Sequence, residues 1–187
     1  MWLAAIAISV PLVRRAIPVD YAHFNPPRDI PVIEFVPIVT GCLVAGLLRP
    51  RMYEWERLAI RPPSVLCGLL TLASIAFATV PVYLAALRLP ARVPWQFIPA
   101  NVAAVTALAF ILTALLGAVT GGLSTLVLFL ASCLAQNLIP GIAGHIPLGN
   151  LTHPEPHWLA TGLICLASAL IIGITRGASA YSRTREP

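Results

Sequence analysis

Long apolar runs separated by short polar breaks dominate the pattern of this chain. Most of the runs are near the length of a helix that crosses the roughly 30 Å hydrocarbon core of a bilayer, which takes about 20 residues. The pattern therefore predicts an all-α fold, a polytopic membrane helix bundle of about six transmembrane helices in a single domain. The predicted spans are residues 1–17, 30–48, 64–87, 95–119, 123–138 and 158–175.

The breaks between the runs differ in their chemistry. Residues 16–29 contain Pro18, Pro26 and Pro27, which is typical of a loop. Thr120-Gly-Gly122 predicts a tight turn between the fourth and fifth spans. Residues 139–157 are rich in Pro and Gly yet apolar, so this broken outer segment is expected to dip into the membrane surface, either buried in protein or lining a cavity.

The first run has only 13 apolar residues before Arg14 and Arg15, which is short for a span. It is either a short first helix whose arginines reach the interface or a start that omits part of the natural N-terminus. A signal peptide would carry these positive charges before the run rather than after it.

Composition supports a membrane location. The chain is 58% hydrophobic and 10% charged, and its mean hydropathy is +0.87. These values exclude a soluble domain and a disordered chain. The net charge of +5 comes from scattered arginines that form no nucleic-acid-binding patch. Arginine is slightly enriched in residues 49–63 and in the C-terminal tail, which predicts an N-in, C-in orientation in the bacterial inner membrane.

Charge is dense only in residues 49–63, between the second and third spans. Within this segment Tyr53 to Ile60 contains no Pro or Gly and can form a short helix along the membrane face, with acidic residues at its start and Arg57 near its end. It is either an ordinary interfacial loop that fixes topology or a coupling helix that docks on a cytoplasmic ATPase. The candidate contact residues are Tyr53, Glu54, Trp55, Glu56, Arg57 and Arg61.

A few polar side chains lie inside the predicted spans, and they are candidates for a translocation path or for helix packing: Glu34, Asn101, Gln136 and Asn137. Glu34 is the only carboxylate near a span, which suits a salt bridge or a proton-linked gate better than acid–base catalysis. No nucleophile elbow, zinc-protease motif or Gly-rich phosphate loop is present. We therefore predict no catalytic residue, cofactor or metal, and a protein that is not an enzyme.

Three histidines and a carboxylate lie in the broken segment: His145, His153, Glu155 and His157. These are metal-ligand types. Prolines between them impose an extended backbone, whereas a zinc site of this kind uses two histidines one helical turn apart. The pattern favours a solvated loop over a metal site.

The layout of six spans, an amphipathic helix between spans two and three and a broken segment between spans five and six resembles the membrane subunit of an ABC-2-type exporter. Residues 53–62 (YEWERLAIRP) and 101–117 carry this likeness, and both are similar to segments of small actinobacterial membrane proteins described as ABC transporter permease-like. The resemblance implies a coupling helix at residues 53–60, a separate ATP-binding cassette subunit and a second permease copy or homologue as partners in the bilayer.

Two other classes fit the same pattern. A substrate-binding membrane subunit of an energy-coupled importer also has about six spans and uses a separate ATPase. An integral membrane scaffold needs no transport path at all.

Overall fold

The computed structural model describes residues 16–19, 28–31, 63–87, 96–139, 145–148 and 157–175. Within them the chain forms two short strands followed by four helices. The strands are β1 (Ala16–Val19) and β2 (Arg28–Pro31), and the helices are α1 (Pro63–Ala86), α2 (Phe97–Leu116), α3 (Ala118–Leu138) and α4 (Trp158–Thr175).

All four helices are long and apolar enough to cross a membrane. Many of their large apolar side chains face outward; Val119 is 76% exposed, Leu159 80% and Ile174 75%. In water an extended apolar surface of this kind favours association, whereas in a bilayer it contacts lipid. The helices therefore fit a membrane protein, as the sequence pattern predicts.

Helix α2 lies at the centre of these four helices. It packs against α1, α3 and α4, and α1 and α4 also pack against each other. Accordingly, 78% of the apolar stretch of α2 is buried, against 28% for each of the other three helices. Four of its buried residues are Ala100, Ala103, Ala104 and Ala107, and small side chains let neighbouring helix backbones approach closely.

Small residues spaced four apart on both helices form the contact between α1 and α4. A Cβ added at Gly173 would lie 3.0 Å from the carbonyl oxygen of Ser64, and one added at Gly68 would lie 3.2 Å from the carbonyl oxygen of Ala169. The start of α1 therefore meets the end of α4, so the two helices are antiparallel. This spacing of small residues is a common basis for close helix contact in membranes.

A single residue, Gly117, separates α2 from α3. Its φ of 95° lies in the left-handed region that favours glycine, and its N–H donates to the carbonyl oxygen of Thr113 at 3.0 Å. The reversal brings α3 so close to α2 that a Cβ at Gly121 would lie 2.5 Å from the Cα of Thr113. Helix α3 can fold directly back on α2 only because position 121 has no side chain.

The turn expected at Thr120–Gly122 is therefore misplaced, because these residues lie inside the first turns of α3. Gly121 is required there for close packing, while Gly117 supplies the turn. The other bounds agree more closely: α1 and α2 correspond to the predicted spans 64–87 and 95–119, and α4 has the bounds predicted for the sixth span.

The N-terminal part of the chain differs from the sequence expectation. The described residues at the edges of the first two predicted spans, 16–17 and 30–31, belong to an antiparallel ribbon instead of helices, with Ile17 opposite Ile30 and Pro18 opposite Asp29. Proline disfavours a helix interior but is tolerated in a ribbon of two edge strands. The rest of the spans 1–17 and 30–48, and the proposed coupling helix at 53–60, lie outside the described residues. The six-helix count and the N-in, C-in orientation stay predictions.

We predict that Gly121→Ala destabilises the bundle, because the new methyl group meets the backbone of Thr113. Overpacking of this kind costs about 1–3 kcal/mol, and each kcal/mol lowers Tm by roughly 2–4 °C in a chain of this size. The measurement is thermal unfolding of the purified full chain in detergent.

Gly162→Ala is the matched control, because position 162 is also helical and a Cβ there has no neighbour within 4 Å in the structure. Both substitutions gain the same helix propensity, so their difference isolates the contact with α2. Equal melting temperatures for the two variants would contradict the close approach of α2 and α3.

Candidate functional site at the polar end of the bundle

The directions of the helices bring several polar side chains to one end of the bundle. The Thr161 hydroxyl donates to the carbonyl oxygen of Ala100 at 3.5 Å, and the Cys165 Sγ lies 4.0 Å from the carbonyl oxygen of Ala103. The starts of α2 and α4 therefore lie side by side, and α3 returns to the same end after its reversal at Gly117. We call this region the polar end: Asn101, Gln136, residues 145–148, His157 and Thr161.

Gln136, on the last turn of α3, connects that helix to the segment that follows it. Its Nε2 donates to the carbonyl oxygens of Leu148 and, at 3.5 Å, Ile146. Two carbonyl acceptors fix which end of the amide faces them, because Oε1 in that place would meet two other acceptors. The Gln136 side chain is 2% exposed, and its Oε1 is buried with no hydrogen-bond partner in the part of the chain that the structure describes.

Residues 145–148 contain neither helix nor strand, yet they enter the apolar interior. Leu148 is 8% exposed and belongs to a buried cluster with Ala104 and Val105 of α2 and Phe129 and Cys133 of α3. Ile146 packs against the same cluster. Of the broken segment, Leu148 is thus buried in protein as expected and Ile146 is partly buried, whereas His145 is exposed.

Asn101 lies on the second turn of α2 and is 2% exposed. It adjoins Ala100, whose carbonyl oxygen accepts the hydroxyl of Thr161 from α4. The structure therefore buries one of the predicted polar residues, Asn101, near the start of α2, and it brings another, Gln136, to the contact between α3 and residues 145–148. Both are uncharged hydrogen-bonding groups, suited to holding helices together or to binding a polar, uncharged solute.

Most buried hydroxyl groups in the helices bond to their own helix. Thr71 donates to the carbonyl oxygen of Cys67 at 2.9 Å, Thr106 to that of Val102 at 2.6 Å and Thr125 to that of Gly121 at 2.8 Å. These three hydroxyls are satisfied without any neighbouring helix. They are therefore poor candidates for a binding site.

Two buried polar atoms have no hydrogen-bond partner among the described residues: the hydroxyl oxygen of Ser168 on α4 and the Nε2 of His157 just before α4. The Ser168 hydroxyl is fully buried, and no described residue offers it a hydrogen bond. The Nε2 of His157 is likewise buried without a partner among the described residues, next to the first turn of α4, where the His157 carbonyl accepts the N–H of Thr161 at 2.9 Å. A buried polar atom without a partner is costly, so such atoms mark places where water or a ligand can bind.

Several predicted site residues lie outside the described residues, so their roles stay predictions. They are Glu34, Tyr53, Glu54, Trp55, Glu56, Arg57 and Arg61. The backbone of Asn137 belongs to α3, but its side chain is outside the described part. Of the histidine group, His153 and Glu155 are also outside, and the described residues contain no cluster of three metal-ligand side chains.

The sequence pattern does not distinguish Thr161 and Ser168 from the other hydroxyl residues of the helices, and it does not indicate that a ring nitrogen of His157 is buried. Thr161 and Ser168 are seven residues apart, which places them on one helix face. The spacing of seven residues is a sequence signal for a shared polar face. The signal is weak because Thr and Ser are common in membrane helices and mostly bond to their own backbone. The rotation of each helix about its own axis decides which hydroxyl faces another helix, and composition does not determine this rotation.

Comparison with known proteins identifies no relative. No protein family, curated protein or solved structure matches the chain. The function therefore has to be inferred from the residues and their arrangement.

We predict that Gln136→Leu lowers the stability of the full chain, because it removes the donor to the carbonyl groups of Ile146 and Leu148 while keeping a side chain of similar size. Leaving buried acceptors without a donor costs about 1–3 kcal/mol. Thermal unfolding in detergent measures the change.

Gln96→Leu is the matched control, because Gln96 is exposed and makes no side-chain capping bond at the start of α2. We expect its melting temperature to stay at that of the unmodified chain. A Gln136→Leu variant as stable as the Gln96→Leu variant would show that the Gln136 amide does not hold residues 145–148.

Proposed function

We propose that this chain is the membrane-spanning, permease-type subunit of an ABC exporter and that a separate ATP-binding cassette subunit powers it. The observation that carries the proposal is the burial of Leu148, on the non-helical segment 145–148, against α2 and α3, with the amide of Gln136 bonded to its carbonyl group. Irregular backbone at the depth of membrane spans is tolerated where it is buried in protein or lines a cavity. Interrupted segments with nearby polar groups are a recurrent feature of transporter sites.

The charge distribution supports a separate energy source. The sequence has no Gly-rich phosphate loop, so the chain carries no recognisable nucleotide site of its own. The charged segment 49–63 provides a helix-competent element in which Glu54 and Arg57 lie one turn apart. A short helix of this kind between two spans suits contact with a soluble ATPase at the cytoplasmic face.

A non-transporting membrane scaffold is the second candidate. The observation that favours it is the dense packing of α2, whose buried face consists largely of alanines and of threonines that bond to their own helix. An importer subunit that binds a solute is the third candidate. It would retain its solute when purified without an ATPase, which native mass spectrometry of the purified chain can detect.

We predict that the full chain purified from native membranes in mild detergent brings down an ATP-binding cassette subunit and that the double variant Glu54→Ala, Arg57→Ala loses most of it. The reason is that these two charges, three residues apart, lie on one face of the proposed coupling helix. Co-purification and the ATP turnover of the complex are the measurements.

Arg183→Ala, Glu186→Ala is the matched control, since it also removes one acid and one arginine three residues apart from a segment predicted on the same side of the membrane. It should keep both association and turnover. Unchanged association and turnover in the Glu54, Arg57 variant would exclude the coupling helix, and an absence of any ATPase would favour the scaffold.

We also predict that the active unit contains two permease subunits, either two copies of this chain or this chain with a homologue. A path through the membrane needs walls on all sides, and among the described helices only 28% of the apolar stretch of each of α1, α3 and α4 is buried. Native mass spectrometry from nanodiscs should show a pair. Transport by preparations that contain only single chains would count against this prediction.

A further inference from the structure

Leu148 fills a groove between α2 and α3 whose walls are Ala104, Val105, Phe129 and Cys133. Leu148 is 8% exposed, and Phe129 and Cys133 are fully buried. The segment that carries Leu148 has neither helical nor strand structure, and its Pro147 has no N–H with which to hydrogen-bond a neighbouring helix. Among the described residues, an irregular segment therefore covers the groove, with Leu148 buried in it and Ile146 packed partly buried beside it.

The side chain of Gln136 bonds this segment to α3. Its Nε2 donates to the carbonyl groups on both sides of Pro147, those of Ile146 and Leu148. The same amide leaves its Oε1 buried and without a partner among the described residues. When the segment lifts away, water reaches this oxygen, so opening recovers part of the free energy that the lost contacts cost.

From this combination we infer that residues 145–148 are a plug that opens locally from the groove between α2 and α3, with the Gln136 amide as its latch. The inference does not depend on an exporter function, because it concerns one segment and one groove of this chain. In the open form the groove exposes the thiol of Cys133 and the apolar wall beside it.

The thiol of Cys133 reports the position of the plug, because Leu148 packs in the same cluster. The thiol of Cys67 provides an internal reference, since it is 4% exposed and belongs to a different buried cluster, with Ala107 and Phe110 of α2. Two single-thiol backgrounds separate the signals. One keeps only Cys133 and the other keeps only Cys67, with alanine at the remaining three cysteine positions.

The experiment is the labelling rate of each thiol by N-ethylmaleimide, a small membrane-permeant reagent, on the folded full chain in nanodiscs. We expect Gln136→Ala to speed labelling of Cys133 by about thirtyfold, the size expected when about two net hydrogen bonds are removed, and to leave Cys67 unchanged. Leu148→Ala keeps the latch and should also speed Cys133 alone. Gln96→Ala, which removes an exposed glutamine, should change neither rate.

Two results overturn the inference. If Gln136→Ala speeds both thiols equally, the glutamine supports the whole bundle and does not latch a local plug. If neither Gln136→Ala nor Leu148→Ala speeds Cys133, residues 145–148 do not control access to the groove. Because Leu148→Ala leaves Gln136 intact, it keeps the test decisive even if the Gln136 variant does not fold.

Discussion

Close backbone contact with α2 is the constraint on which the rest of the structure depends. Apolar burial does not favour helix association in a bilayer, because lipid tails are as apolar as leucine side chains, so packing and hydrogen bonds between helices have to stabilise the bundle. The alanines of α2 and the missing side chain at Gly121 allow this contact. The position of α3 follows from it, and so does the groove that Leu148 fills.

The sequence pattern predicted the helices well where hydropathy alone decides. Residues 158–175, the predicted sixth span, are all helical in the structure. The pattern predicts this run because polar or Pro-rich residues flank it on both sides in the sequence. The turn between α2 and α3 was placed at Thr120–Gly122, and the structure has it at Gly117. Composition does not distinguish a glycine that forms a turn from a glycine that allows close packing. Gly117 is identified by its positive φ, and Gly121 by its short distance to the backbone of Thr113.

At the candidate site, the sequence predicts which polar residues matter, but it does not predict their hydrogen-bond partners. Asn101 and Gln136 were singled out because strong hydrogen-bonding groups are rare in apolar helices, and both are buried at the polar end. That Gln136 bonds to Ile146 and Leu148 follows from the path of the chain after α3. The sequence does not indicate Ser168, because the hydroxyl of a buried serine ordinarily hydrogen-bonds to its own helix. The structure shows that the Ser168 hydroxyl has no such bond among the described residues.

Helix α3 differs from its neighbours in how it is held. Helices α1, α2 and α4 all pack against one another, whereas the extensive contacts of α3 with described elements are with α2 alone. A shift at the end of α3 therefore disturbs the α2–α3 contact and residues 145–148, and it leaves the α1–α4 contact at Gly68 and Gly173 intact. Local opening follows the region with the fewest buried contacts. The Oε1 of Gln136, which has no hydrogen-bond partner among the described residues, lies at this boundary. Among the four described helices, the least constrained part is therefore also the part where a polar group can gain a hydrogen bond from water or a ligand.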